Sequence, residues 1–436
     1  MYIFLQLRSV ALRTAARPLS YRRRHFGVTA PAREYVPRAP APGDRVYVAM
    51  SSGVDSSTVA ALIRDQYPDN EVSGIYMENW NDTSNGEGLT CTEREWIDVQ
   101  KVCQTVGLPC ERVNFEREYW NEVFMPMIEM YKQGLTPNPD VGCNKFIKFG
   151  ELYRYLEKKE QSTAVAASTR DSKGCNWWLA TGHYANVGLD KASNTVHLLR
   201  PTHLPKDQSY YLSAISSTVL PRLLFPLGGY TKPQVRDLAL KKYNLPTAEK
   251  PDSQGICFIG QGQNTFRRFL DEYLEANPGD VVTETGEVVG RHNGLWHATV
   301  GQRSGIAMPQ GDPAKKGTWY VARKVPALNQ IVIVRGADNP AFFTNRVQCA
   351  EFDWLGHVDA AALERDCARV VVQYRSLQTP ERVRRVRVGD SGLEVEFETL
   401  RRAVAPGQYL VMYNEAGRVL GSGVITNTDR TEQANL

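Results

Sequence analysis

Arg45-Val46-Tyr47-Val48-Ala49-Met50 is an apolar run that breaks at once into the small residues Ser51-Ser52-Gly53-Val54-Asp55-Ser56-Ser57. Over residues 56–66 the apolar positions Val59, Leu62 and Ile63 then fall at helical spacing. An apolar strand passing through a short turn into a helix fits a parallel sheet, whose neighbouring strands need crossover helices. The pattern repeats. Residues 72–77 predict a second strand, and 93–106 a helix with Trp96, Val99, Val102, Cys103 and Val106 on one side, stopped by Gly107 and Pro109. Residues 112–115 predict strand, 120–132 helix and 177–181 strand. The fold class is α/β, with a parallel doubly wound sheet.

The 436 residues suffice for about three domains. Residues 161–176, rich in Ser, Ala, Thr and Gly, predict a surface insertion. Residues 227–310 read as a small mixed central domain of helix and loop. Beyond 311, short alternating segments separated by Gly, Pro and Asn predict a C-terminal antiparallel β-barrel. The expected divisions are thus 1–43, 44–226, 227–310 and 311–436.

The net charge of +4 is unevenly spread. Residues 1–43 hold eight arginines and one acid, Glu34, so the remainder is slightly acidic. Such an arginine-rich, acid-poor start, broken by Arg8 and Arg13, predicts a mitochondrial transit peptide followed by a Pro-rich linker over 31–43, with order from Asp44. A disordered basic tail is the alternative. Nucleic-acid binding must then rest on local patches. One lies in the predicted barrel: between 365 and 387, seven arginines (365, 369, 375, 382, 384, 385, 387) stand against two acids. Solvated edge-strand charge explains part of it, and a phosphate-backbone surface the rest. No run approaches the ~18 apolar residues of a membrane helix. None of the eight cysteines forms a CxxC pair, which argues against structural zinc.

Three segments carry candidate chemistry. The turn Ala49–Ser57 offers backbone N–H groups and hydroxyls to a phosphate at a helix N-terminus. Neither GxxxxGK[ST] nor GxGxxG occurs, although a lone Ser/Gly turn is often just a cap. Thr136-Pro137-Asn138-Pro139-Asp140-Val141-Gly142-Cys143 is a loop stiffened by two prolines that presents Asp140 and Cys143 three residues apart, either a reactive pair or a rigid turn with an incidental thiol. Asp252-Ser253-Gln254-Gly255-Ile256-Cys257-Phe258 sets Cys257 among apolar residues, where a buried structural cysteine is the alternative.

The turn resembles the SGGxDS loop of the PP-loop ATP pyrophosphatases, with Ser52 where that family usually has Gly. Taken in order, Met77-Glu78-Asn79-Trp80, the Asn138–Cys143 loop, Ala180-Thr181-Gly182-His183-Tyr184, Lys206-Asp207-Gln208-Ser209-Tyr210, Gly255-Ile256-Cys257-Phe258, Val300-Gly301-Gln302-Arg303 and Pro406-Gly407-Gln408 resemble the tRNA-specific 2-thiouridylases in their mitochondrial form. The resemblance runs from about residue 45 to about 425 and implies a PP-loop ATP pyrophosphatase domain.

That resemblance implies ATP-dependent 2-thiolation of the wobble uridine, U34, in the anticodon arm of mitochondrial tRNA. The uracil C2 carbonyl is a poor electrophile, so ATP, with Mg²⁺, adenylates its oxygen before sulfur displaces AMP. The family match assigns Ala49, Met50, Ser51, Ser52, Gly53, Val54, Asp55, Ser56, Met77 and Gly182 to ATP. It makes Cys257 the persulfide carrier, Cys143 the nucleophile that completes transfer, with a Cys143–Cys257 disulfide as product, and Asp140 the general acid/base. It assigns Asn138, Pro139, Asp140, His183, Lys206, Asp207, Gln208 and Gln408 to tRNA. Gln373-Tyr374 occupies the place of the family's Arg-Tyr pair. The sulfur comes as a persulfide from a donor protein, a sulfur-relay protein or cysteine desulfurase upstream, in the mitochondrial matrix. No metal site, membrane contact or oligomer is implied. Other readings are another PP-loop enzyme, such as an amide ligase or a thiolase for a different tRNA position, and a tRNA-binding protein with a degenerate nucleotide loop.

Overall fold

The computed structural model describes residues 35–80, 89–166, 176–252, 263–309, 311–389 and 392–429. Most of the expected leader and the whole of Ser253–Gly260, with Cys257, lie outside the described residues, as do residues 167–175 of the expected insertion.

The first unit is built on five parallel strands, hydrogen-bonded in the order Cys110–Asn114, Glu71–Glu78, Arg45–Met50, Trp177–Ala180, Leu223–Leu224. Along Arg45–Met50 the side chains alternate between two cores. Val46, Val48 and Met50 join Val59, Leu62 and Ile63 of helix Val54–Gln66 and Val99 and Val102 of helix Cys91–Val106. Tyr47 and Ala49 face the other way, onto Phe124, Ile128, Ile147, Leu152 and Leu156. A strand covered on both faces has no solvent side to mark with polar residues, which is why its sequence is continuously apolar. Connections leave the central strand in opposite directions, so the carboxyl ends of Arg45–Met50 and Trp177–Ala180 flank a topological switch point, where α/β sheets bind ligands.

Three boundaries differ from the sequence reading. Tyr35–Val36, expected in a linker, pairs antiparallel with Asn186–Asp190, which pairs with Thr195–Leu199. The first unit does not end at 226: Leu227, Val235, Ala239, Leu245 and Ala248 are buried in the core of helix Val54–Gln66. Strands Trp319–Val325 and Gln330–Arg335, expected in the barrel, belong to the central sheet, ordered Val288–His292, Gly279–Thr283, Gln330–Arg335, Trp319–Val325. Gln330–Arg335 pairs in parallel with Gly279–Thr283, a long-range match that local alternation cannot reveal.

The barrel closes from six strands, Phe343–Trp354, Gly392–Arg402, Glu381–Gly389, Val370–Gln373, Tyr409–Asn414 and Val419–Asp429, each antiparallel to its neighbours. It docks on the first unit through shared core residues, Val411, Tyr413 and Val419. Backbone bonds also join them, from Thr136 N–H to the Pro406 carbonyl (2.9 Å) and from Arg200 N–H to that of Gly417 (2.9 Å).

Candidate active site

The turn after the central strand is held from within. Ser56 Oγ accepts from the Ser51 N–H (3.0 Å) and donates to the Ser51 carbonyl (2.9 Å), and Ser57 Oγ donates to the Gly53 carbonyl (2.8 Å). Gly53 caps helix Val54–Gln66 with φ −85° and no side-chain bond, leaving the first-turn N–H groups open to an anion. Ser52 is not among the positive-φ residues, so its Cβ strains nothing where relatives of this loop carry Gly.

Ser51, Ser52 and Gly53 open onto a cavity of about 410 Å³, a size suited to a small ligand. Met50, Met77 and Trp80 line the cavity too, and across it stand Asp140, Cys143, Lys148, His183, Gln208 and Tyr211. The turn and the Asp140–Cys143 loop thus line one cavity. Pro139 sits at the first helical position after Asn138, where its fixed φ and missing N–H cost nothing. The helix widens to a π-helix over Cys143–Glu151, a feature that recurs at functional sites.

Burial pushes the Cys143 thiol up; Lys148 opposes this, and Asp140 adds to it. Burial likewise raises Asp140 above its ordinary value, against the pull of Lys148, which suits a carboxyl that exchanges a proton. Cys143 is a free thiol. His183 Nδ1 lies 2.7 Å from Thr181 Oγ1, and burial, then Lys148, holds its pKa well below the usual histidine value. Gln208 Oε1 accepts from the Tyr184 N–H (2.9 Å).

The side chains of the other expected ATP residues are engaged within the fold. Ala49 and Val54 are buried in the cores, and Ser56 is spent inside the turn. The Asp55 carboxylate points away, to Tyr184 Oη (2.9 Å) and Lys232 Nζ (2.7 Å). Gly182 backs the helix start: a Cβ there would lie 2.9 Å from the Ser56 nitrogen.

Three expected tRNA contacts are internal. Asp207 is 1% exposed, salt-bridged to Arg200 Nε (2.6 Å) and accepting from Ser209 N–H (2.9 Å). Gln373 is also 1% exposed, accepting from Tyr413 Oη (2.8 Å) and donating to the Gln378 carbonyl, and Tyr374 is buried in the barrel core. Lys206 bonds Asp252 (2.8 Å). Gln408 Nε2 donates to the Thr136 carbonyl (2.7 Å), bracing the base of the Asp140–Cys143 loop. Asn138 and Gln408 line a second cavity of about 380 Å³ with Gln302, Arg375 and Arg402, and Tyr211 lines both cavities.

The sequence reading did not single out Lys148, Tyr211, Lys232 or Arg236, and gave Tyr184 no role of its own. Only the residue pattern around Lys232 carries a local signal, the Thr231/Gln234 capping box that starts its helix.

Three family models match in succession: the tRNA methyl transferase HUP domain at residues 44–261, the tRNA methyl transferase PRC-barrel domain at 267–335, and the aminomethyltransferase beta-barrel domain at 345–425. These follow the three units of the structure. The chain is similar to mitochondrial tRNA-specific 2-thiouridylase 1 of Saccharomyces cerevisiae, 44% identical over 91% of this chain and 94% of that protein. It is 36% identical to the Schizosaccharomyces pombe protein of the same name, over 88% and 91% of the two chains. It is 40% identical to tRNA-specific 2-thiouridylase MnmA of Levilactobacillus brevis, over 87% and 95%.

Proposed function

The chain belongs to the tRNA-specific 2-thiouridylases, and on that premise we propose that it is the mitochondrial tRNA-uridine 2-sulfurtransferase that thiolates C2 of the wobble uridine. One observation carries this reading: the pyrophosphate turn, Asp140 and Cys143 share one cavity.

The enzyme uses ATP. Ser51, Ser52 and Gly53 hold the phosphates with the open N–H groups of the helix start, Met77 borders the adenine, and Ala49, Val54, Asp55, Ser56 and Gly182 keep the turn in shape. Mg²⁺ bound with the nucleotide would supply charge neutralisation at the phosphates. The flipped uridine lies between Asn138-Pro139 and the His183 and Gln208 walls, as chemistry on a base requires. Its O2 attacks the α-phosphorus, releasing pyrophosphate, with Asp140 taking or returning the ring proton. The terminal sulfur of the Cys257 persulfide attacks C2 and AMP leaves with the C2–O bond electrons. The Cys143 thiolate then attacks the inner sulfur; the sulfur–sulfur bond breaks toward the base, giving 2-thiouridine and a Cys143–Cys257 disulfide. A thiol reductant resets the pair, and a persulfide-carrying relay protein or desulfurase in the matrix recharges Cys257. The tRNA backbone rests on the barrel arginines, on Lys206, and along the second cavity on Arg375, Arg402 and Gln408.

The test is 2-thiouridine in tRNA from cells lacking the protein, read by nucleoside mass spectrometry of the mitochondrial fraction, alongside tRNA-dependent ATP–pyrophosphate exchange by the purified enzyme. Normal 2-thiouridine in the knockout overturns the reading.

A further inference from the structure

Lys148 stands on the wall of the main cavity with Asp140, Cys143 and His183, and no other lysine or arginine lines that cavity among the described residues. Neighbouring lysines are already engaged: Lys145 with Asp353 (2.8 Å), Lys206 with Asp252 (2.8 Å) and Lys232 with Asp55 (2.7 Å). Among the described residues Lys148 makes no ion pair as close as these, and the groups it acts on are Asp140, Cys143 and His183. An ammonium on a cavity wall that is not tied up in a close ion pair is available to the acidic groups lining that cavity.

The helix type decides which one. Five residues of α-helix turn through about 500°, leaving positions i and i+5 about 140° apart. Cys143–Glu151 is π-helical, so its hydrogen bonds close i to i+5 and return Lys148 to the side of Cys143. Without the widened turn the ammonium would point away from the sulfur.

We propose that Lys148 is the positioning charge for Cys143, its ammonium holding the sulfur as the thiolate that attacks. The proposal rests on Cys143 being the nucleophile. The charged and titratable groups around that sulfur are few. Asp140 precedes it on the same helical run, Glu95 reaches the cavity from helix Cys91–Val106, His183 and Cys91 complete the wall, and Tyr211 contributes a phenol. Glu95 is engaged by the Tyr76 hydroxyl (3.1 Å). Burial and Asp140 both oppose ionisation of Cys143, and Lys148 is the group that favours it. The same charge favours ionised Asp140 and neutral His183. One ammonium therefore acts on three neighbours, offsetting part of the cost that burial puts on the Cys143 thiolate and on ionised Asp140 and adding to the burial that keeps His183 neutral.

The experiment follows iodoacetamide alkylation of Cys143 against pH in the full chain, read on the Cys143 peptide by mass spectrometry, for wild type, Lys148→Met and Lys148→Arg. Lys148→Met is expected to move the midpoint up by about one pH unit or more and to slow alkylation near neutral pH about tenfold. Lys148→Arg should recover most of the loss, and ATP affinity should stay within about twofold in both. If Lys148→Met melts early, Lys148→Gln, uncharged but polar, carries the same comparison. An unchanged midpoint overturns the proposal. Lost ATP affinity with an unchanged midpoint overturns it too, making Lys148 a phosphate ligand. Thiolation by the wild type is measured in parallel: its absence would sink the functional reading, while the alkylation profile bears on Lys148 alone.

Discussion

The Lys232 ammonium meets both carboxylate oxygens of Asp55, at 2.7 and 2.8 Å, across 177 positions of sequence. Lys232 also lies 3.0 Å from Asp252, which Arg236 (2.6 Å) and Lys206 (2.8 Å) join. The first turn of the helix behind the pyrophosphate loop is thereby tied to the residue that precedes the Cys257 segment. At Asp252, burial alone would raise the carboxyl. Hydrogen bonds from Lys206, Lys232 and Arg236 outweigh that and hold it well below the ordinary range.

Lys232 is largely desolvated, with a side chain 12% exposed, so deleting it leaves Asp55, among the described residues, with the Tyr184 hydroxyl alone and takes one of three cations from Asp252. Lys232→Met is expected to cost about 2 kcal/mol in urea unfolding, short of a fully buried pair because Asp55 keeps some solvent. Pyrophosphate exchange should fall further than tRNA affinity does, since the damage begins at the nucleotide turn. Wild-type exchange in a variant of reduced stability would separate the pair from the loop.

His183 sets a pH dependence of stability. Its ring packs against Phe149 (5.8 Å) and Phe225 (6.0 Å), and burial, with Lys148 beside it, keeps it neutral well below the usual histidine range. The unfolded chain takes up this proton near pH 6.5 and the folded chain only at lower pH. Between those values the unfolded state binds the extra proton, so stability is full above about pH 6.5 and declines as pH falls through the window. The slope from one group is at most about 1.4 kcal/mol per pH unit. In His183→Gln, urea melts between pH 7 and pH 5 should show a flatter profile. An identical slope would assign the dependence elsewhere.

How far the sequence could be read depended on range. The central strand is legible because burial on both faces forces a continuous apolar run, and the pyrophosphate turn because a phosphate demands small residues before a helix. The Asp140–Cys143 loop is legible from its flanking prolines. Leu223–Leu224 is too short to leave a pattern, and the parallel pairing of Gln330–Arg335 with Gly279–Thr283 depends on a distant partner. The same holds for side chains. Asp207 and Gln373 look like surface polar groups in sequence, and only their partners Arg200 and Tyr413 reveal them as internal. The π turn that brings Lys148 round to Cys143 has no sequence signature at all.

The barrel separates structural from RNA-binding residues. Gln373 bridges Tyr413 and the Gln378 carbonyl inside the protein, so Gln373→Ala takes the acceptor from the buried Tyr413 hydroxyl, which keeps only a long bond from Ser209 (3.5 Å), and the donor from the Gln378 carbonyl. It is expected to cost about 1–3 kcal/mol and to lower tRNA affinity only through the folded fraction. Arg382 and Arg385 are exposed on strand Glu381–Gly389. Changing either to Ala should leave stability within about 0.5 kcal/mol. If each meets a phosphate, tRNA affinity drops and the logarithmic salt slope falls by about one per arginine. Salt-titrated binding with melts on the three variants distinguishes the roles, and an unchanged slope in both arginine variants would move the RNA elsewhere.

The two sulfur residues give the sharpest test of mechanism. Cys143 is a free thiol on the cavity wall, while Cys257 lies outside the described residues. If Cys257 carries the persulfide and Cys143 completes transfer, each Cys→Ser variant should lose thiolation yet keep ATP and tRNA binding. A serine hydroxyl is nearly isosteric but stays protonated near neutral pH and cannot hold sulfane sulfur. The variants should then diverge: Cys143→Ser still accepts labelled sulfur from a persulfide donor, and Cys257→Ser does not. The double variant should be scarcely worse than either single one, because the residues act as a unit. A purely structural role predicts a different outcome, destabilisation of about 1 kcal/mol or more with activity reduced only in step with the folded fraction. Gels of labelled protein beside thermal melts decide between them. Equal labelling of the two single variants would reverse or dissolve the assignment, and near-normal thiolation in either would remove that cysteine from the reaction.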